Sequence, residues 1–470
     1  MGARSFYMLS GVILLLLANF ACAGGTAEET TVHISADVLD VSLPSYYGVE
    51  YAWVDQDTDL FVERIRTLGA NVLRVQITQE YIEPVNDNAD PNFSEINFGL
   101  TIPLDPENGK TLTYQEMFTR LGQEFPEMVF QINMWLPARW NADTPGGYVG
   151  LGGTFPPVDY AEHREFVREL FRWLVEDCDI APARLSFAFV NEPNLEPFFT
   201  GSQDDLLRMA IETRAALDAV SPEIGMFGLD EVHGTDWTAA FYNAQPEGCC
   251  DGWAYHVYEA GQENLNDALL QRLDRLSVFG PVWITEFAST EHGSPDGGMD
   301  FSTEAAALHF SQTLAYLWPG GIDGVIHFRL ADTYTSVLGW SGHGLFADSR
   351  GTNARGDAYH LYPTYWVFAN IYNHLGEGQL VAVENESGLE LFAVRQGSAT
   401  GDEVAVWVVN AGPQKAPVTF CMAAEYALAG DVEILNNLEG SEPADIGTLD
   451  SAGCFPYTFP ARSAYTLLVR

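Results

Sequence analysis

Two short stretches each place a glutamate at the end of an apolar run: Phe189-Val190-Asn191-Glu192-Pro193 and Trp283-Ile284-Thr285-Glu286-Phe287. The two glutamates lie 94 residues apart (286 − 192 = 94). A carboxyl group in such a position can exchange a proton or attack an electrophilic carbon. Two that converge on one glycosidic bond can do both: one protonates the leaving oxygen while the other, about 5–5.5 Å away, attacks the anomeric carbon. Carboxyls that close cannot both ionise readily, so the one nearer the leaving group is expected to keep its proton, and the rate to be bell-shaped in pH.

The spacing suggests which elements bring them together. In a (β/α)₈ barrel of roughly 250 residues a strand-helix unit averages about 31 residues, and the side chains at the strand C-termini all face one end. An interval of 94 residues is close to three such units, the separation of strands four and seven. Strand-like runs recur at Tyr47–Tyr51, Val72–Val75, Met128–Asn133, Leu185–Val190, Gly225–Gly228, Trp253–Val257, Val282–Thr285 and Gly324–Phe328. Amphipathic segments lie between most of them: Asp59–Leu68, Tyr160–Glu176, Leu206–Val220, Asn264–Leu276 and Thr303–Leu317, with a last barrel helix expected over Tyr359–His374, ending at Gly376. Alternation of strand and helix implies an α/β fold with a parallel sheet, and eight repeats favour a closed TIM barrel. Neither GxGxxG nor GxxxxGK[ST] follows the first strand, so no nucleotide fingerprint supports an open doubly wound sheet.

Beyond Gly376 the apolar period shortens to two. Leu389–Val394, Val404–Val409, Val418–Met422, Val432–Leu435 and Ala464–Val469 are expected to form a small antiparallel β-sandwich that supports the barrel. Val32, Ile34, Ala36, Val38 and Val41 suggest one strand ahead of the barrel, placed to pair with this sandwich. The expected organisation is a leader over 1–23, an N-terminal strand region over 24–45, a catalytic barrel over 46–376 and a sandwich over 377–470.

Asn191-Glu192-Pro193 after an apolar strand resembles the signature of the clan A glycoside hydrolases, retaining (β/α)₈ enzymes. The resemblance implies Glu192 as general acid/base, Glu286 as nucleophile and Asn191 as the partner of the sugar 2-hydroxyl. Arg74 resembles the clan's basic residue that holds the nucleophile ionised. The segment from Asn133 to Trp140, with Trp135 and Trp140, is similar to the Trp/Pro-rich segment of families 30 and 39, and Tyr255-His256-Val257-Tyr258 to their His-x-Tyr element. Family 30 also carries a trailing sandwich with a preceding strand. Strand eight departs from the pattern: many members end it with a sugar-stacking Trp, whereas here it ends Ile326-His327-Phe328-Arg329, leaving Arg329 or Trp340 to shape that subsite. Asp230-Glu231 after strand five is expected to be either a substrate contact or a solvated loop.

Composition narrows the substrate. With 65 acidic residues against 22 basic ones the formal net charge is −43, which disfavours nucleic acid, anionic membranes and polyanionic polymers without excluding an acidic sugar held in a local basic pocket. An apolar fraction of 47% with 13% aromatics argues for a packed globular enzyme. Arg4, the apolar run Val12–Ala18 and Ala21-Cys22-Ala23 together read as a secretory signal, implying a secreted or periplasmic protein. That run falls short of the roughly 20 residues a bilayer span requires. Lipoprotein anchoring through Cys22 fits less well, since Asn19 and Phe20 stand where a small aliphatic pair is usual.

Five cysteines remain after the leader. A Cys421–Cys454 bridge is expected in the sandwich, and Cys178 is a candidate to join Cys249 or Cys250. No Cys/His spacing matches a zinc site, and the acidic stretch Asp87–Asp90 lacks EF-hand spacing. No metal or cofactor is implied, because the two-carboxylate chemistry supplies its own acid, base and nucleophile. The expected function is therefore a secreted retaining hydrolase of a β-linked, neutral polysaccharide of β-glucan, mannan or xylan type. Endo action is favoured because Trp135, Trp140, Trp237, Trp253 and Trp340 could line several subsites. An exo-acting enzyme, with Gln79–Thr113 or Thr144–Val158 blocking one end, a transglycosylase and a non-catalytic carbohydrate-binding barrel stand as alternatives.

Overall fold

The computed structural model describes residues 30–51, 58–83, 101–105, 110–136, 138–142, 155–195, 198–232, 234, 236–258, 271, 273–288, 301–335, 339–347, 358–398, 401–426, 430–440 and 442–470. The expected leader, the Asp87–Asp90 stretch and most of the expected Asn264–Leu276 helix lie outside these residues.

Eight parallel strands close into a barrel: Tyr46–Tyr51, Val72–Thr78, Val129–Leu136, Leu185–Ala188, Gly225–Val232, Gly252–Val257, Val282–Phe287 and Gly324–His327, called here barrel strands one to eight. Each follows its predecessor around the barrel, and strand eight pairs with strand one through Val325–Tyr47 and His327–Val49. All eight expected runs are strands, because apolar runs covered on both faces suit a parallel sheet wrapped in helices. The helices after strands two and four start on capping boxes, Thr113 with Glu116 and Ser202 with Asp205, which satisfy otherwise unpaired N–H groups. The helix after strand eight starts at Pro363 and not at Tyr359. Tyr359 stands at φ +60°, outside helical geometry, and proline at the first helical position gives up no hydrogen bond.

The C-terminal region forms one nine-stranded sheet, ordered Ala444–Thr448, Asp431–Asn436, Ser463–Val469, Gly401–Asn410, Glu390–Ser398, Gln379–Asn385, Thr30–Val38, Ala416–Met422 and Cys454–Phe459. The N-terminal strand thus pairs with this sheet as expected, antiparallel to Gln379–Asn385 but parallel to Ala416–Met422, so the sheet is mixed at that point. Residues from strands at opposite ends of this order, such as Val432 and Phe459, share one apolar core, so the sheet folds over on itself as a sandwich does. Strand Gly401–Asn410 is buried on both faces: Val404, Val406 and Val408 enter the sandwich core, while Ala405, Trp407 and Val409 join the barrel's. The Trp407 indole N–H donates to the Ser311 carbonyl at 3.0 Å, fastening the sheet to the helix Glu304–Leu317.

Cys421 and Cys454, opposite each other on paired strands, form the expected disulfide. The other expected bridge does not form. Cys178 is a free, buried thiol just past the helix Tyr160–Glu176, while Cys249 and Cys250 precede strand six, also as free thiols.

Candidate active site

Strand register assembles the site from neighbouring positions. Glu50 lies beside Arg74 on strands one and two, Asn191 beside Asp230 beyond strand four and on strand five, and His256 beside Glu286 on strands six and seven. Arg74, fully buried, is the hub. Its Nη1 reaches Glu286 Oε1 at 2.5 Å and also Glu50 Oε2, and its Nη2 reaches Asp230 Oδ2 at 3.0 Å and Asn191 Oδ1 at 3.2 Å. Burial opposes the guanidinium's charge, but Glu286, Asp230 and Glu50 outweigh it and raise its pKa.

Asp230 is the hub's permanent anion. Burial alone would raise its pKa; Arg74 and His256 instead hold it at about 2, and its oxygens accept the Thr285 hydroxyl at 2.6 Å and the Asn133 amide at 3.0 Å. This corrects the expectation of a substrate contact or a solvated loop, since Asp230 and Glu231 are both buried. Glu231 caps the helix Asp236–Ala244, accepting the N–H groups of Trp237 and Thr238 at 3.3 and 2.8 Å.

Glu192 adopts φ +42°, a left-handed conformation that costs a non-glycine residue about 1 kcal/mol or more. Its N–H donates to the Asp230 carbonyl at 3.0 Å, and Asn194 ties the same turn to Val232 through bonds of 2.5 and 3.2 Å. The turn so held aims the Glu192 side chain at His256, whose Nδ1 lies 2.8 Å from Glu192 Oε1 and 3.4 Å from Glu286 Oε2. Burial would lower the His256 pKa, but Glu286 and Asp230 raise it to about 10, so the imidazole is protonated and donates to Glu192. The Tyr258 hydroxyl donates to Glu286 Oε2; burial and the Glu286 charge push its pKa far up and keep it a phenol.

One oxygen from each of Glu192 and Glu286, with a His256 nitrogen, lie within 4.8 Å of one another. Among the described residues this is the one group of histidine and acidic side chains compact enough to hold a cation, but an imidazole that keeps its proton to about 10 is a poor ligand.

Glu50 was not among the expected site residues. It is buried, takes Arg74 on Oε2 and has Arg329 Nη2 at 3.4 Å from Oε1; burial raises its pKa to about 7 against both arginines. Its only sequence signal is a carboxylate inside an otherwise apolar strand. Arg329 therefore does belong to the site, with its guanidinium 4.2 Å from the centre of the Phe328 ring. Phe328 lies edge-on to Tyr258 at 5.9 Å.

The expected aromatic contacts divide. Trp140 is half-buried and donates its indole N–H to the Glu83 carbonyl at 2.8 Å. Trp253 is core and not a subsite: its indole N–H binds the Phe279 carbonyl at 2.9 Å near the start of strand six, away from the strand ends that carry the carboxylates. Trp237 packs edge-on to Phe199 at 6.3 Å. The side chains of Trp135 and Trp340 lie outside the described residues, although Trp340 is placed in a hairpin, Thr333–Thr335 with Gly339–Ser341, beyond strand eight.

Residues 207–318 match the model of the glycosyl hydrolase catalytic core family. No curated protein matches the chain in sequence. Solved structures similar to it include a family 30 endoxylanase from Clostridium papyrosolvens (TM-score 0.64, 13% identity, covering 94% of this chain and 100% of that one). A monomeric β-xylosidase from Caulobacter crescentus (0.66, 13%, 94% and 99%) and a glucosidase from Croceicoccus marinus (0.65, 12%, 94% and 99%) share the same fold. The chain thus shares a sequence match to a glycosyl hydrolase catalytic core over residues 207–318, and its fold over almost its whole length, with these glycoside hydrolases.

Proposed function

We propose that the protein is an exported retaining hydrolase that cleaves a β-linked neutral polysaccharide of xylan or β-glucan type by double displacement. The observation that carries this reading is the approach of Glu192 and Glu286 oxygens to within 4.8 Å. Inverting hydrolysis needs its carboxyls about 6.5–9.5 Å apart to admit a water, whereas about 5–5.5 Å suits direct attack. Glu286, gripped by Arg74 and Tyr258, is held in one orientation, as an attacking carboxylate must be. Glu192 is the acid/base, and Asn191 holds the sugar 2-hydroxyl.

In the first step a Glu286 oxygen bonds to the anomeric carbon, the bond to the leaving oxygen breaks, and the Glu192 proton goes to that oxygen. In the second, Glu192 takes a proton from water, the water oxygen bonds to the anomeric carbon, and the ester to Glu286 breaks. His256, donating to Glu192, holds that carboxyl in place through both steps.

The substrate class rests on the net charge, which disfavours polyanions, and on the endoxylanase, β-xylosidase and glucosidase among similar structures. Export rests on the N-terminal leader, and endo action on tryptophans near the ends of strands three and eight. The test is release of reducing ends from xylans, β-glucans and mannans by wild type, Glu286→Gln and Glu192→Gln. Activity on a neutral β-glycan that both substitutions abolish supports the reading; activity that survives Glu286→Gln removes the nucleophile.

A further inference from the structure

Arg74 offers a single nitrogen, Nη1, to two carboxylates, Glu286 Oε1 at 2.5 Å and Glu50 Oε2. Glu50 also lies within ion-pair range of Arg329 beyond strand eight, at 3.4 Å, and it accepts the Gln76 amide at 3.4 Å on Oε2. Its charge is thus placed beside the nucleophile without being aimed at a sugar. We propose that Glu50 is a positioning residue that sets the strength of the Glu286 nucleophile by sharing Arg74 with it. The inference rests on the double-displacement reading above.

The electrostatics give the direction. As Glu286 attacks, its own negative charge disappears into the ester while positive charge grows on the sugar ring. Arg74 is then left beside a developing cation with one anion fewer. An ionised Glu50 offsets that imbalance in the transition state more than in the ground state, where Glu286 still neutralises Arg74, and only such a difference accelerates the step. The same holds in reverse when water releases the sugar. If Glu50 is protonated, Arg74 leans on Glu286 alone, which makes that carboxylate a weaker nucleophile.

The groups facing Glu50 are Arg74 and Gln76 of strand two, Tyr258 beyond strand six, Glu286 of strand seven and Arg329. Burial brings its ionisation to about 7, the two arginines pulling it down and Glu286 pushing it up. Its charge state therefore changes within the range where the enzyme can be assayed.

The test is kcat and KM from pH 5 to 9 for wild type, Glu50→Gln and Glu50→Asp, on an aryl β-glycoside that wild type hydrolyses. Glu50→Gln keeps the shape and loses the charge, so kcat is expected to fall about 10- to 100-fold with KM changed less than about threefold, a transition-state effect. The wild-type rise in kcat near pH 7 should vanish in Glu50→Gln and return, shifted, in Glu50→Asp. A Glu50→Gln profile with the wild-type inflection intact, whatever its height, would overturn the proposal by reducing Glu50 to a packing role. Should Glu50→Gln not fold, Glu50→Asp decides by the same readout, since an unshifted inflection there overturns it equally. Wild type that hydrolyses none of the glycosides would count against the proposed function itself, a separate failure.

Discussion

Arg74 and Asp230, both fully buried, pair at 3.0 Å across the barrel interior from strands two and five. A buried ion pair is stable only when its geometry is good and its remaining lone pairs are satisfied. Asp230 meets that condition through Thr285 and Asn133, and its backbone carbonyl also holds the Glu192 N–H. One residue on strand five thus fixes the arginine that grips Glu286 and the backbone that carries Glu192.

Asp230→Asn should therefore destabilise the fold by about 3–5 kcal/mol, the usual cost of stranding a buried charge. The pH dependence has a definite sign. The folded pKa, about 2, lies below the ordinary 3.8, so the stabilisation is present above 3.8 and lost as pH falls through about 2. Denaturant unfolding should show wild type losing more stability over that acid window than Asp230→Asn; parallel acid profiles would contradict the pairing.

His256 acts in the opposite range. Its folded pKa is raised from 6.5 to about 10, so its stabilisation is fully present below 6.5 and lost as pH rises through about 10. Thermal unfolding of wild type should weaken between those limits, and His256→Asn should be less stable at pH 6 with a flatter slope above it. An equally steep slope in the variant would mean that the imidazole is neutral in the fold.

Glu192→Gln should separate proton donation from nucleophilic attack. On glycosides with sugar leaving groups the rate should drop about 10²–10⁴-fold, the usual worth of a general acid. A 2,4-dinitrophenyl glycoside needs no proton to depart, so its burst of released phenolate should persist while turnover stalls at hydrolysis of the glycosyl-enzyme. An equal loss of rate in the glycosylation step on both substrate types would remove Glu192 from the role.

The charge of −43 predicts a salt effect on the whole fold. Self-repulsion of the compact state is screened as the Debye length shrinks from about 30 Å at 0.01 M to about 3 Å at 1 M. The unfolding midpoint should rise over that range of sodium chloride, and a midpoint that is flat or falls would show that surface repulsion is not a significant load.

The barrel was legible in the sequence because each strand is a short apolar run closed by a turn, and strand position alone brought Glu192 and Glu286 to one end. Arg74, His256 and Tyr258 followed from resemblance and do meet at the carboxylates. Glu50 and Asp230 were not legible as parts of the charge network. Their roles depend on an arginine that reaches them only through the closed sheet, and nothing within a few residues of either marks that partner. Three sandwich strands, Gln379–Asn385, Ala444–Thr448 and Cys454–Phe459, are not legible in the sequence because their half-exposed faces blur the alternation that reveals a strand. Pro363 carried the true start of the last barrel helix, a signal present in the sequence but outweighed by the apolar residues before it.

The central claim is double displacement, and its most direct test is the anomer released first from an aryl β-glycoside that the enzyme turns over, followed by proton NMR before mutarotation. Two inversions at one carbon predict the β-anomer as first product. The α-anomer appearing first would contradict a covalent intermediate on Glu286, however near Glu192 stands to it.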